Sequence, residues 1–435
     1  MRIALVVPDM SPIWENIQTN SLKKPEYRPP MGLLYIAACL ASNGYTVSLW
    51  DNYSAEMPHE DLTSQIALWQ PDVVGISSMT TNYQYAKKLV GDLRALLTNV
   101  FLVMGGVHPT LMPAKCLIEC QGLDAIVLGE GEQTMSKLVL AIEAGANWRH
   151  LQGIAYKGAC GPVIGDFSSP VNLVELPRPD WSLLDSSLYD WRGSTLNMEP
   201  VYTVMSSRGC PYRCSFCGKP PWQRVYRKRP VLDVIDEIEG LVKHQGAAAI
   251  YFREDNFTAD RRFLGDFCLE LLRRSSSVTW ECETRVDTLD RRMVKLMFKA
   301  GCRGLWCGVE SGSQKVLDGI GKGTTVEQSV HLYDVCHEIG IATGALFMIG
   351  LPGETEKDVW KSYELALRLS PQWCGFQAYV GIPGCTLYDR VLVDGLWVSN
   401  FDGILEIETK ELSRNRIREL EEELNRRFSV DCRRC

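Results

Sequence analysis

Short runs of β-branched and aliphatic residues alternate along this chain with longer segments in which apolar positions recur every three or four residues. In the first third the runs fall at residues 3–7, 46–50, 73–77, 101–104 and 125–128, with helical spacing at 33–42 and 85–97 between them. Strands alternating with helices of that length build βαβ units, so residues 1–145 are predicted to form a doubly wound parallel sheet with helices on both faces. Residues 146–200 read as a linker region rich in glycine, proline and short strands. Its stretch Leu176-Pro177-Arg178-Pro179-Asp180-Trp181 carries two prolines that forbid regular structure. The alternation returns over residues 201–395, with strands at 203–206, 249–252, 279–283, 304–309, 345–349 and 375–379 and helices at 232–244, 261–274, 291–299, 325–339 and 356–369. Six such strands fit a full or partial α/β barrel, with a partial (β/α)6 barrel expected, so the whole chain is α/β. Residues 396–435 form a short charged tail in which 412–428 is predicted to be a surface helix.

Composition narrows the class. A chain of 435 residues with 46% hydrophobic and 23% charged residues has the balance of a globular enzyme, with length for two to four domains. Its net charge of −7 argues against a nucleic-acid binder. The apolar start Ile3-Ala4-Leu5-Val6-Val7 meets Pro8-Asp9 too soon for a signal-peptide core, and no run reaches a membrane-spanning length. A cytoplasmic location is therefore expected, where the 16 cysteines stay reduced and clustered thiols suggest metal or catalysis.

One cluster stands out. Arg208-Gly209-Cys210-Pro211-Tyr212-Arg213-Cys214-Ser215-Phe216-Cys217 follows the first strand of the second αβ region. Three thiols spaced C-x3-C-x2-C can each reach a different iron of one cubane cluster and leave the fourth iron open. Zinc is the alternative, but structural zinc takes four protein ligands and neither a fourth cysteine nor a histidine lies close by in the chain.

This loop resembles the signature of the radical S-adenosylmethionine (SAM) superfamily, and further motifs follow in the family's order. Tyr251-Phe252-Arg253-Glu254-Asp255-Asn256 resembles the second-strand motif, Glu281-Cys282-Glu283-Thr284-Arg285 the third, Gly308-Val309-Glu310-Ser311-Gly312 the fourth and Met348-Ile349-Gly350-Leu351-Pro352-Gly353-Glu354 the fifth. The resemblance implies a 4Fe-4S cluster on Cys210, Cys214 and Cys217, and SAM bound by Phe216, Glu254, Arg285, Glu310, Ser311 and Met348. In this family SAM chelates the open iron, and an electron entering through the cluster breaks a carbon–sulfur bond to release a 5′-deoxyadenosyl radical. Carboxylates at strand ends suit SAM's cationic and hydroxyl groups, although any one of them could equally be a barrel-rim ion pair.

The first region resembles the cobalamin-binding domain that precedes many radical SAM modules. The stretches that carry this are Arg28-Pro29-Pro30-Met31-Gly32, Val74-Gly75-Ile76-Ser77-Ser78-Met79, Met104-Gly105-Gly106-Val107-His108-Pro109 and Leu128-Gly129-Glu130-Gly131. It implies cobalamin contacts at Ser77, Ser78, Met79, Gly105, Gly106, Pro109, Gly129 and Glu130. Physically, Gly105-Gly106 removes Cβ atoms at a strand end, so backbone can approach a nucleotide tail closely. A dinucleotide site would need G-x-G-x-x-G after the first strand, where Val7-Pro8-Asp9-Met10-Ser11-Pro12 has no glycine. No histidine precedes His59, so a cobalt ligand of the D-x-H-x-x-G type is missing; His108 is expected to pack its loop or meet the tail. Gly321-Lys322-Gly323-Thr324 is a poor P-loop.

Several features have plainer readings. The basic run Arg224-Val225-Tyr226-Arg227-Lys228-Arg229 is expected to be a solvated loop. Trp306 and Trp373 could line an apolar cavity or simply pack, and Cys282, Cys302 and Cys307 read as buried hydrophobes. Cys432 and Cys435 read as a frayed tail.

The resemblance implies a cobalamin-dependent radical SAM methyltransferase that carries methyl from SAM through methylcobalamin to a carbon radical of a small-molecule substrate. The alternative is a non-methylating enzyme of the same architecture, catalysing cyclisation, ring contraction, rearrangement or oxidation. A monomer is expected, served by a reducing partner such as flavodoxin or ferredoxin, with no nucleic acid and no membrane span. The substrate and the catalytic residues are not legible in the sequence.

Overall fold

The computed structural model describes residues 1–9, 28–189, 198–219 and 221–431. Met10-Ser11-Pro12 and the pair Cys432 and Cys435 lie outside the described residues. The described residues divide into two compact units, residues 1–9 with 28–189 and residues 198–219 with 221–431.

In the first unit, β1 (Arg2–Val7), β2 (Thr46–Asp51), β3 (Val73–Ser77), β4 (Phe101–Gly105) and β5 (Ala125–Val127) run parallel in the order β2-β1-β3-β4-β5. Alternate residues of each strand point to opposite faces. Ala4, Val6, Val74, Ile76, Leu102 and Met104 pack under α2 (His59–Trp69) and α3 (Tyr83–Leu96), while Ile3, Leu5, Val73 and Val103 pack under α1 (Met31–Ser42). The second face also carries α6 (Gly131–Glu143), and α4 (Val107–Leu111) and α5 (Pro113–Glu119) connect β4 to β5. The segment read as linker adds two strands, β6 (Ile154–Gly158) and β7 (Gly161–Ile164), antiparallel to β5 and to each other. A three-residue β5 with buried Ile126 and Val127 leaves an edge that this hairpin covers.

The second unit is a curled, six-stranded parallel sheet in the order β15-β14-β13-β12-β11-β8, a half-barrel. Its strands are β8 (Val201–Thr203), β11 (Ala249–Phe252), β12 (Thr279–Thr284), β13 (Cys302–Glu310), β14 (Ala342–Ile349) and β15 (Trp373–Ala378). Between them run α7 (Val231–Gln245), α8 (Arg261–Arg273), α9 (Arg291–Lys299), α10 (Gln314–Gly319), α11 (Val326–Ile339) and α12 (Glu356–Leu369). On the helix side, Phe252 stacks on Phe257, both meet Phe267 and Trp280 edge to face, and Trp280 Nε1 donates to the Ala300 carbonyl at 2.8 Å. On the inner side Trp306 packs with Val201, Ala249, Tyr251 and Trp373, contacts that join strands far apart in the sheet and follow from its curl. Both indoles lie against glycines: a Cβ at Gly344 would stand 2.5 Å from the Trp306 ring and one at Gly375 2.6 Å from Trp373. Packing is thus the role these tryptophans show. Cys282, Cys302 and Cys307 are buried.

Two charged segments differ from their expected surface roles. In the basic run, β10 (Arg227–Lys228) pairs antiparallel with β9 (Ser207–Arg208), and Arg229 is buried in ion pairs with Asp233 and Glu237. Before the tail come β16 (Val380–Gly381) and α13 (Thr386–Asp394); in the tail β17 (Trp397–Phe401) and β18 (Ile404–Ile407) join β16 in a small antiparallel sheet, in the order β16-β18-β17, followed by α14 (Arg414–Asp431). That last helix is not a free surface helix, because Ile417, Leu420 and Leu424 form a buried stripe at helical spacing. Asn425 of the same helix bonds both backbone groups of Phe376 on edge strand β15, at 3.0 and 2.8 Å, so the helix closes that edge. Among the described residues no helix is long and apolar enough to cross a membrane.

Leu420→Ala is expected to cost about 2–5 kcal/mol in urea unfolding because it opens a cavity under α14. Leu140→Ala, at a residue 60% exposed, is expected to stay within about 0.5 kcal/mol of wild type in the same assay.

Candidate functional site

In the first unit the loops after β3 and β4 interlock at the carboxyl edge of the sheet. Ser78 N donates to the Gly105 carbonyl at 2.8 Å and His108 N to the Ser78 carbonyl at 3.2 Å. Gly106 has φ +103°, and a Cβ there would stand 2.5 Å from Ser78 O, so this crossing demands glycine. Gly129 N donates to Thr110 Oγ1 at 3.0 Å, which brings the β5 loop to the same edge.

Of the residues expected to hold cobalamin, Ser77, Gly105, Gly106 and Gly129 are partly accessible, and Met79 is 51% exposed, as is its neighbour Val107. Two half-exposed apolar side chains beside a bare glycine edge suit a large, flat, partly apolar ligand with a tail, so the residues present fit cobalamin. Ser78 and Pro109 are buried, and Glu130 accepts from Val171 N at 2.7 Å. His108 is buried, its Nδ1 3.1 Å from Thr80 Oγ1 and its ring 4.1 Å from that of Tyr83, a packing role within its loop.

In the second unit the cysteine loop leaves β9 through Gly209, at φ +88°, where a Cβ would meet the Val225 carbonyl at 2.3 Å. Backbone bonds to distant segments hold the loop: Cys210 N to Gln223 O at 3.0 Å, Ser215 N to Ile320 O at 3.0 Å and Leu387 N to Ser215 O at 2.9 Å. Cys214 is buried, and burial pushes the Cys210 and Cys217 thiols up. Among the described residues no three thiols, imidazoles or carboxylates stand close enough to share one metal ion. Three cysteines that serve three different irons of a cubane need not, and the loop fits a cluster in that way.

Around this loop stand most of the residues expected to bind SAM. Glu310 ends β13 at a register shift against β14, with φ +69°, a conformation that a non-glycine residue holds only when its surroundings impose it. Its Oε1 accepts from Lys322 Nζ at 2.7 Å, and both residues are buried. Lys322 Nζ also lies 5.8 Å from the Phe216 ring, and Phe216 and Met348 pack on one apolar cluster with Ile320 and Leu351. A carboxylate, an ammonium and two soft apolar side chains fit the ribose, the carboxylate and the adenine of SAM.

Arg285 reaches the same neighbourhood, its Nη2 donating to the Lys322 carbonyl at 2.7 Å. Glu254 is turned inward instead. Its Oε1 accepts from Ser206 N and, at 3.1 Å, Ser207 N, its Oε2 accepts from Ser207 Oγ, and burial pushes its carboxyl up to about 7. Beside it Ser206 Oγ and Asn256 Nδ2 are buried without a partner, polar atoms of the kind a bound ligand satisfies. Ser311 is not brought to the group, because its buried Oγ lies 3.3 Å from Ser362 Oγ on α12.

Lys322 was not legible as a site residue. Its flanking glycines, at φ +60° and +70°, turn the loop so that the side chain enters the barrel, and only the fold shows where that leads. Tyr212 and Asp287, which hold Arg285, were likewise unmarked.

Two family models match the chain, the B12 binding domain over residues 23–139 and the radical SAM superfamily over residues 204–366. An uncharacterized methyltransferase of Pyrococcus horikoshii is 31% identical over 400 residues, 91% of this chain and 84% of the relative. An anaerobic magnesium-protoporphyrin IX monomethyl ester cyclase of Rubrivivax gelatinosus is 31% identical over 382 residues, 86% of this chain and 68% of the relative. Among solved structures, the radical SAM methyltransferase TsrM of Kitasatospora setae, with cobalamin and a 4Fe-4S cluster bound, shares the fold. Its TM-score is 0.71 at 20% identity, over 92% of this chain and 76% of that one.

The fifth-strand loop yields a pH prediction. Glu354 Oε2 accepts from Gly350 N at 2.7 Å and Leu351 N at 3.2 Å, its Oε1 is buried without a partner, and burial pushes the carboxyl up to about 8. Between the ordinary carboxylate range and about pH 8 the folded chain therefore holds a proton that the unfolded chain has released, so folding stability falls as pH rises through that window. In urea unfolding at pH 5.5, 7 and 9, wild type is expected to lose stability relative to Glu354→Gln; parallel pH profiles would contradict this.

Proposed function

The chain belongs to the B12-binding-domain branch of the radical SAM superfamily, and we propose that it methylates a carbon atom of a small-molecule substrate. As a cobalamin-dependent radical SAM enzyme it uses a 4Fe-4S cluster, SAM and cobalamin. When bound, the cluster and SAM supply hydrogen-abstracting power by one-electron cleavage of a carbon–sulfur bond, and cobalamin supplies a methyl carrier.

The chain's own residues bind and orient. Cys210, Cys214 and Cys217 hold the cluster. Lys322 meets the SAM carboxylate and Glu310 the ribose hydroxyls, with Phe216 and Met348 as apolar walls that exclude water. Glu254 fixes the turn at Ser206–Ser207 from which the cysteine loop departs. In the first unit Ser77, Met79, Gly105, Gly106 and Gly129 offer the edge that receives cobalamin, braced by Ser78, Pro109 and Glu130. The cluster, when bound, would draw its electron from a one-electron donor such as flavodoxin or ferredoxin.

The observation that carries the reading is the buried Glu310–Lys322 pair beside Phe216, a charged site next to a three-thiol loop in a chain that also has a glycine-edged corrinoid fold. Methyl transfer is preferred because the likeness to a methyltransferase runs through 84% of that relative. The likeness to a cyclase supports the second reading, a non-methylating reaction on the same machinery.

Anaerobic reconstitution with iron, sulfide and cobalamin, followed by product analysis with candidate substrates, tests the choice. S-adenosylhomocysteine formed together with 5′-deoxyadenosine is the expected outcome, whereas deoxyadenosine alone would favour the second reading. Loss of cobalamin on gel filtration would remove the methyl-transfer mechanism. Lys322→Met is expected to weaken SAM binding about tenfold or more in anaerobic equilibrium dialysis, the effect of losing a charge-assisted hydrogen bond, while iron and sulfide content stay unchanged.

A further inference from the structure

We propose that Arg285 is a positioning residue for the cluster itself, which sets its reduction potential by donating from Nη1 to the sulfur of Cys214. This rests on the reading of Cys210, Cys214 and Cys217 as cluster ligands and adds to it. The guanidinium is held on three sides. Asp287 takes it bidentately, from Nε at 3.0 Å and Nη2 at 2.9 Å. The Lys322 carbonyl accepts from Nη2 at 2.7 Å, and the Tyr212 ring lies beneath the cation at 3.7 Å. Nη1 is then left facing Cys214 Sγ at 3.4 Å, within reach for a sulfur acceptor, and the residue is buried.

This arrangement differs from a SAM contact. The fork of Arg285 is already engaged by Asp287 and a backbone carbonyl, whereas the Lys322 ammonium stands at Glu310. The N–H donors on Nε and Nη2 are taken by Asp287 and the Lys322 carbonyl, so Nη1 alone remains, and it faces Cys214. Asp287 balances the charge of the guanidinium, so what reaches the sulfur is chiefly an oriented N–H. Such a donor draws electron density from a thiolate ligand and favours the reduced cluster, a lever by which proteins tune iron–sulfur potentials. Tyr212, two residues before Cys214 in the loop, and Asp287, on the loop after β12, fix the direction of that donor.

The test is a redox titration of the reconstituted, SAM-free protein followed by electron paramagnetic resonance. Arg285→Gln is expected to assemble the same iron and sulfide per chain as wild type. At fixed solution potential its reduced-to-oxidised ratio should be about tenfold lower, which is 59 mV for a one-electron couple. Arg285→Lys, with its charge but without the fork, should fall between the two. Equal potentials in wild type and Arg285→Gln overturn the proposal. If Arg285→Gln does not assemble a cluster, wild type labelled with 15N-arginine decides: a nitrogen hyperfine coupling to the reduced cluster supports the proposal, and its absence overturns it. A wild-type chain that binds no iron and sulfide would instead overturn the underlying reading of the cysteine loop.

Discussion

A lysine and a glutamate buried 2.7 Å apart set the terms on which the second unit is built. Taking two charges out of water costs several kcal/mol per ion, and only close geometry with further hydrogen bonds repays it. The surrounding chain shows that accommodation. Strand β13 shifts register to bring Glu310 into a left-handed conformation, and Gly308 has no Cβ that would stand 2.3 Å from Glu310 Oε1. Two left-handed glycines turn the loop around Lys322, whose carbonyl in turn anchors Arg285. One ion pair thus links the ends of β12 and β13, the loop after α10 and, through Phe216 and Cys214, the cysteine loop.

The first unit is built differently at the carboxyl edge of its sheet, where Gly105 and Gly106 carry no side chains and two loops interlock through Ser78. The contrast suits the two ligand types: a small, multiply charged cofactor is recognised by paired ions, a bulky and partly apolar one by shape and accessible apolar side chains.

The cysteine loop, the strand order of motifs and the two α/β regions were legible because each is written in consecutive residues: C-x3-C-x2-C is a local spacing, and βαβ alternation is a local period. What stayed hidden depends on register and closure. Arg229 lies in a basic run, yet a two-residue strand pairing carries it inward to Asp233 and Glu237. The helix of the charged tail, α14, has an apolar stripe whose partner, the edge of β15, is 49 residues away from Asn425. Glu254 carries a motif carboxylate, but its hydrogen bonds run to Ser206 and Ser207 on the turn before the cysteines.

The sequence by itself determined the chemistry on offer: three thiols at C-x3-C-x2-C spacing, a glycine edge, and carboxylates at strand ends. Tertiary structure decided how those groups are used. It paired Glu310 with a lysine 12 residues away, turned Ser311 toward α12 and aimed Arg285 at Cys214. The physical reason is range. Covalent spacing fixes which ligands can share a loop, whereas the partner of a buried charge is chosen by strand register and loop direction, which exist only once the barrel has curled.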